Sequence, residues 1–222
     1  MPPRTLQLAC LLLAITCVAS HAYAQKVHRI DIASGRIGLP PANFELLRTG
    51  IGELGQWTLV ADATAVTGVA IEQFSEDQTE NRFSVAVYKP LHLRNLSVRV
   101  RIRLIKGTNE TAGLAFRIQN SDNYYVVIAN AFEKRVDLFR ILNGKMERIA
   151  GADADIFIQR WHTLALIAEN EQFTIALDNK RIFAVSDRTF LTEGRIGLWA
   201  EEDNLSRFDQ IEIVALDSAK AR

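Results

Sequence analysis

Leu96-Ser97-Val98-Arg99-Val100-Arg101-Ile102-Arg103-Leu104-Ile105 is the stretch that decides the fold. Apolar and polar residues alternate without a break, so Leu96, Val98, Val100, Ile102 and Leu104 share one side of an extended chain. Ser97, Arg99, Arg101 and Arg103 share the other. A strand apolar on one side only belongs to an antiparallel sheet with one face on a core and one face in water. The arginines then read as the solvated face of that strand rather than as a phosphate site.

The same period of two recurs on both sides of this strand, and a helical period of 3.6 never persists beyond about two turns. Leu138 to Leu142 and Lys145 to Ile149 flank Asn143-Gly144, the pair that supplies the positive φ angles of a type I′ turn. Phe173 to Leu177 and Ile182 to Val185 flank Asp178-Asn179-Lys180 and read as a second hairpin. Trp161 to Ala168 enters it through Glu169-Asn170-Glu171, and Gly194 to Trp199 and Phe208 to Val214 complete the series. The chain from Val27 onward holds about a dozen strands at the spacing of a sandwich or barrel. Ser34 to Gly55, rich in glycine and proline, reads as loops around one short strand near Phe44. No Pro- or Ser-rich linker divides the chain, so residues 25–222 are expected to form one domain. Gly50-Ile51-Gly52-Glu53-Leu54-Gly55 matches the dinucleotide fingerprint in letters only. A strand-like segment, Gln56 to Val60, follows it where the fingerprint needs a helix.

Residues 1–24 have the anatomy of a secretory signal peptide: Arg4, an apolar run from Leu6 to Val18, and Ala22-Tyr23-Ala24 as the cleavage site. A lipoprotein signal acylated at Cys17 is the rival, but Ala14-Ile15-Thr16 is a poor approach to it. The apolar run is short for a bilayer span, and no later segment is long enough, so the protein is not expected to span a membrane. Both cysteines, Cys10 and Cys17, lie in this leader. The mature chain must therefore rest on its hydrophobic core without disulfides, which its length allows. A periplasmic or secreted protein of bacterial type is expected, and the sequons at Asn95, Asn109 and Asn204 are then chance matches. Losing Arg4 leaves 25 basic against 26 acidic residues, so the mature net charge is −1. Nucleic acid is not an expected partner, because its binders carry a basic excess.

Short motifs follow one another from Asn81-Arg82-Phe83 and Ala86-Val87-Tyr88 onward. They continue through Gly113-Leu114-Ala115-Phe116-Arg117, Asp122-Asn123-Tyr124-Tyr125-Val126-Val127 and Ala129-Asn130-Ala131. Trp161-His162-Thr163-Leu164, Gly194-Arg195-Ile196-Gly197-Leu198-Trp199, Asp203-Asn204 and Phe208-Asp209-Gln210-Ile211 complete the succession. It resembles, over roughly residues 43 to 214, a bacterial exported family with the concanavalin A-like lectin/glucanase jelly-roll fold. It is similar to 3-keto-disaccharide hydrolase-like domains, many without an assigned activity. The resemblance implies an all-β sandwich of two curved antiparallel sheets, whose concave face commonly receives sugars. Catalytic laminarinase-type relatives carry a Glu-x-Asp-x-x-Glu set on one strand, and this chain has none. Glu76-Asp77 and Glu201-Glu202-Asp203 have the wrong spacing for paired-carboxylate chemistry.

Candidate ligand residues centre on Gly113 to Asn130. With Leu114, Phe116 and Ile118 turned inward, Gly113, Ala115, Arg117 and Gln119 would form a shallow floor. Asn120, Asp122, Asn123, Tyr124, Tyr125 and Asn130 would add the amides, carboxylate and rings that bind sugars. Asn120-Ser121-Asp122-Asn123 is equally good turn chemistry. Trp199 is a stacking platform or a packed core ring, and Trp57 and Trp161 read as core residues at strand starts. Asp209 is a candidate ligand for a structural calcium of the kind jelly-roll modules hold, or a loop-capping carboxylate. His28, His92 and His162 have no zinc spacing, and no nucleophile elbow or mature cysteine is present. These residues favour a non-catalytic saccharide-binding protein. A glycoside or keto-sugar hydrolase or lyase acting on the concave face is the first alternative. A structural or interaction protein of the cell envelope is the second.

Overall fold

The structure is a computed structural model, and it describes residues 26–201 and 203–216; the proposed leader lies outside the described residues. Among the described residues, fifteen strands run in chain order, beginning with β1 (Val27–Arg29), β2 (Phe44–Thr49), β3 (Gln56–Ala61), β4 (Val69–Phe74) and β5 (Phe83–Leu93). β6 (Leu96–Lys106), β7 (Thr111–Asn120), β8 (Asn123–Asn130), β9 (Arg135–Leu142) and β10 (Lys145–Asp153) follow. β11 (Trp161–Glu169), β12 (Gln172–Leu177), β13 (Lys180–Ser186), β14 (Gly194–Glu201) and β15 (Leu205–Ala215) close the chain. Sheet A has the order β13-β12-β11-β6-β15-β4-β3, with β1 added beside the end of β15. Sheet B has the order β10-β9-β8-β7-β14-β5-β2. Neighbouring strands of both sheets pair antiparallel throughout the described residues, and no helix among those residues is long and apolar enough to cross a membrane.

The turn chemistry behaves as the sequence predicts. Asn143 and Gly144 take φ angles of 51° and 75° between β9 and β10, the left-handed region that a two-residue I′ turn requires. Asp178 and Asn179 do the same between β12 and β13 at 50° and 66°, so that turn is two residues long and Lys180 already belongs to the strand.

Between the sheets lies one core. Leu96, Val98, Val100, Ile102 and Leu104 of β6 meet Leu114, Phe116, Tyr125, Val127 and Leu198 of sheet B. Phe116, Tyr125 and Phe173 pack ring on ring at its centre, with centroids 5.0–5.2 Å apart. Arg99, Arg101 and Arg103 face outward from sheet A as expected.

Sheet B departs from the one-sided pattern. Its central strands are buried on both faces, and Phe83, Val85, Val87, Ala115, Tyr124, Val126, Ile128 and Trp199 form a second apolar cluster on the face turned away from sheet A. Curvature of the sheet brings its far parts together: the Thr49 hydroxyl, on edge strand β2, donates to the Ser121 carbonyl in the β7–β8 turn. It also lies 2.8 Å from the Tyr124 hydroxyl on β8, which stands four places away in the strand order. Sheet B therefore rolls around its own apolar face, and that concave face is filled by side chains.

Candidate functional site

The floor expected at Gly113, Ala115, Arg117 and Gln119 is not open: the apolar cluster of sheet B covers Gly113 and Ala115, and a β-bulge redirects Arg117. Arg117 sits in the left-handed region at φ 49°, and the β7–β8 register slips between Phe116 and Asn120. The extra residue reverses the alternation, so Ile118 joins the sheet B cluster instead of the inter-sheet core. Gly194 on β14 makes room for the bulge, since a Cβ there would stand 2.5 Å from the Arg117 carbonyl carbon.

Arg117 itself is fully buried. Its Nε donates to the Arg94 carbonyl at 3.1 Å, one terminal nitrogen donates to the Phe190 carbonyl at 2.8 Å, and the other donates to the Asn170 carbonyl. The guanidinium lies 5.2 Å from the Phe173 ring, and its removal from water lowers its pKa from the ordinary arginine value. Arg117 is thus a staple between the two sheets, with its donors taken by main chain.

The other expected ligand residues divide in the same way. Tyr125 is in the inter-sheet core, and its hydroxyl donates to Asp187 at 2.5 Å and accepts from the Phe190 amide at 3.0 Å. Burial and the neighbouring Asp187 carboxylate push the Tyr125 phenol up to about 12. Tyr124 and Trp199 are buried in the rolled face of sheet B, Trp199 with its ring centroid 5.2 Å from that of Phe83. Burial also raises the Tyr124 phenol. Asn120 accepts from the Asp122 amide and from the Asn123 side chain, and Asn130 caps the Glu133 amide, which is turn chemistry in both places. The structure therefore does not bring Arg117, Asn120, Asp122, Tyr124, Tyr125, Asn130 and Trp199 into one accessible surface.

The outward face of sheet A does assemble such a surface. Register places three rows across β11, β6 and β15: Trp161-Arg103-Arg207, then Thr163-Arg101-Asp209, then Ala165-Arg99-Glu212. Residues 62–68, between β3 and β4, arch over the first two rows. Asp62 accepts from Arg103 at 3.3 Å and from Arg207 at 2.9 Å, while Glu72 accepts from Arg207 at 2.8 Å. The Thr64 hydroxyl accepts from the Trp161 indole at 2.9 Å and from Arg103 at 2.8 Å. Burial pushes the Asp62 carboxyl up, but the Thr64 and Arg207 bonds outweigh it and hold the group at about 2.

A second β-bulge shapes the middle of this face. Gln210, at φ 47° between Asp209 and Glu212, is the extra residue; it returns Ile211 to the core and Glu212 to the surface. Gln210 is exposed and lines a shallow groove of about 220 Å³ with Arg99, Arg101, Thr163 and Glu212. A neighbouring groove of about 250 Å³ shares Gln210 and Glu212 and extends to Ile30, Asp31 and Thr67. Half-buried Trp161 stands next to these residues with the Arg101 guanidinium 4.7 Å from its ring. Amide, carboxylate, hydroxyl and guanidinium groups beside an indole are the donor and acceptor set that polyols engage. A larger groove of about 690 Å³, at the β12–β13 turn, is lined by Glu133, Asp153, Asp155, Asp178, Lys134 and Lys180 among others. It offers no ring for stacking.

Asp209 is not a calcium ligand in this arrangement. One of its oxygens accepts from Arg101 at 2.9 Å and from the Val66 amide at 2.8 Å, and the other accepts from the Gln210 amide at 2.6 Å. A cationic guanidinium already stands where a metal would, and calcium needs six to eight oxygens. No group of three or more metal-binding side chains occurs among the described residues. Asp209 is instead the loop-capping carboxylate, and it anchors the bulge.

Sequence reasoning also misplaces Trp161, because a tryptophan at a strand start reads as core. The signal for the bulge was present in Asp209-Gln210, two polar residues in succession within the alternating run from Phe208 to Val214.

No protein-family model and no curated protein sequence matches the chain. Solved structures do. Carbohydrate-binding module CBM66 from Bacillus subtilis is 21% identical over 77% of this chain and 95% of that one, with a TM-score of 0.61. Cellulose induced protein Cip1 is 10% identical over 80% and 94%, with a TM-score of 0.59. The exoplasmic/lumenal domain of VIP36, in its Ca2+/Man-bound form, is 12% identical over 82% and 86%, with a TM-score of 0.53. Two antiparallel sheets packed face to face make the chain an all-β sandwich, the fold that it shares with these solved structures.

Proposed function

We propose that the protein is an exported saccharide-binding domain that holds its ligand on the outward face of sheet A without turning it over. The observation that carries this reading is the groove at the Gln210 bulge. There Arg99, Arg101, Thr163, Gln210 and Glu212 present polar groups to water beside the Trp161 indole. Bulges re-aim side chains and recur next to functional sites. The similarity to carbohydrate-binding module CBM66 and to the Ca2+/Man-bound VIP36 domain supports a glycan as ligand.

The carboxylates of this face speak against turnover. Glycoside hydrolysis needs one carboxyl group as proton donor and a second as nucleophile or base. Here Asp209 is held by Arg101 and a backbone amide, and Glu212 is held by Arg29 at 2.8 Å. Neither stands free to pass a proton to a bound sugar.

Calorimetric titration of the protein against a panel of mono- and oligosaccharides tests the reading. Saturable binding is expected for at least one of them, with no product after prolonged incubation. Trp161→Ala and Gln210→Ala should each weaken that binding tenfold or more while leaving the fold intact. Undiminished binding in both variants would refute the site, and product formation would refute the non-catalytic reading. Export is tested by the mass of the protein recovered from a bacterial periplasmic fraction, which should correspond to a chain beginning at Gln25.

A further inference from the structure

The charges on the outward face of sheet A say which saccharides the groove prefers, an inference that rests on the saccharide-binding reading. Four carboxylates of this face are held by arginine, while Asp31 in the adjoining groove accepts from the Ala33 and Ser34 amides. Asp62 binds Arg103 and Arg207, Glu72 binds Arg207, Asp209 binds Arg101, and Glu212 binds Arg29. Arg99 is the fifth arginine. It donates to the neutral Asn179 side-chain oxygen, at 2.7 Å in the β12–β13 turn, and it is exposed. At the wall of the groove two guanidinium groups, Arg99 and Arg101, meet one carboxylate, Glu212; Arg101 already binds Asp209 and Glu212 already binds Arg29, so Arg99 is the guanidinium there whose charge no carboxylate answers.

We infer that the ligand of this groove is an acidic saccharide, one whose ring or substituent carries a carboxylate. A neutral sugar can accept hydrogen bonds from Arg99 and Arg101. A carboxylate adds charge to those bonds, and a guanidinium matches its two oxygens with two parallel N–H groups. The anion displaces no protein carboxylate, because Asp209 and Glu212 keep their own arginines. Asn179 holds the Arg99 side chain in place, so less rotamer freedom is lost when the ligand arrives.

Matched pairs of oligosaccharides test this: each acidic member carries a uronate ring, and its neutral partner is the same chain with that carboxylate reduced to the alcohol. Titrated at low and high ionic strength, the acidic members should bind at least tenfold more tightly at low salt, and that advantage should shrink as salt is added. Arg99→Gln should abolish the advantage by weakening acidic members far more than neutral ones, and Trp161→Ala should weaken both kinds alike. Equal or tighter binding of the neutral members would overturn the acidic preference and leave the saccharide reading standing. Binding of neither kind would overturn both.

Discussion

Replacing Arg117 by methionine should unfold the protein more readily without touching its ligand. Methionine keeps an aliphatic stem against Phe173 and removes the guanidinium, so the effect isolates the three donations to the Arg94, Phe190 and Asn170 carbonyls. A hydrogen bond from a charged donor is worth about 1.5–3 kcal/mol, so three would approach ~5–9 kcal/mol if nothing opposed them. The guanidinium is also fully buried, and its desolvation costs several kcal/mol, which methionine escapes. The difference leaves a net loss of about 3–5 kcal/mol, in the range found when one partner of a buried charged set is removed. At about 2–4 °C per kcal/mol for a domain of this size, the melting temperature should fall by roughly 6–20 °C. Urea unfolding of wild type and Arg117→Met, with both slopes compared, gives the free energy directly. A loss below about 0.5 kcal/mol would refute the staple. Weaker saccharide binding by a fully folded variant would return Arg117 to the binding site.

Other outcomes can be measured with the same material. Asp62 is held at about 2, below its ordinary 3.8, so its contribution to stability is complete above about pH 4 and is lost as pH falls toward 2. Asp62→Asn should flatten the acid limb of a stability-versus-pH curve in that window, and an unchanged limb would show that the Arg207 and Thr64 bonds contribute nothing. Gly144→Val should cost about 1–2 kcal/mol in chemical denaturation, because φ is 75° there and a β-branched residue resists the left-handed region. The His162 imidazole accepts at Nε2 from the Phe157 amide at 3.0 Å, so its proton sits on Nδ1 facing Asp178 at 2.7 Å. Nitrogen NMR of the imidazole should report the Nδ1–H tautomer, and the Nε2–H tautomer would contradict the Phe157 bond.

The fold was legible because its signals are local. Alternation along β6, the Asn-Gly and Asp-Asn turns and the even strand spacing each depend on a few neighbouring residues, and each places a strand without knowledge of its partners. The site was not legible in the same way. Arg117 and Gln210 look alike in sequence, each a polar residue in an alternating strand, yet one bulge turns Arg117 into the core and the other exposes Gln210. Which way a bulged residue points depends on what stands opposite. Backbone carbonyls from three distant loops await Arg117, while water awaits Gln210. The burial of Tyr124 and Trp199 depends on the roll of sheet B, a long-range property that alternation does not encode. The surface role of Trp161 depends on Thr64, which reaches it from a turn 97 residues earlier.

The Thr49 clasp bears on how the molecule avoids sticking to its own copies. An edge strand with free amides and carbonyls is a template on which another chain can extend the sheet, and β2 is the edge strand at one end of sheet B. Thr49 fastens that strand end to the Ser121 carbonyl and the Tyr124 hydroxyl, bending the edge in toward its own sheet instead of leaving it straight. Curvature that fills the concave face thus also withdraws a surface on which fibrous assembly could begin. Closure of the roll and protection of that strand end share one hydroxyl group.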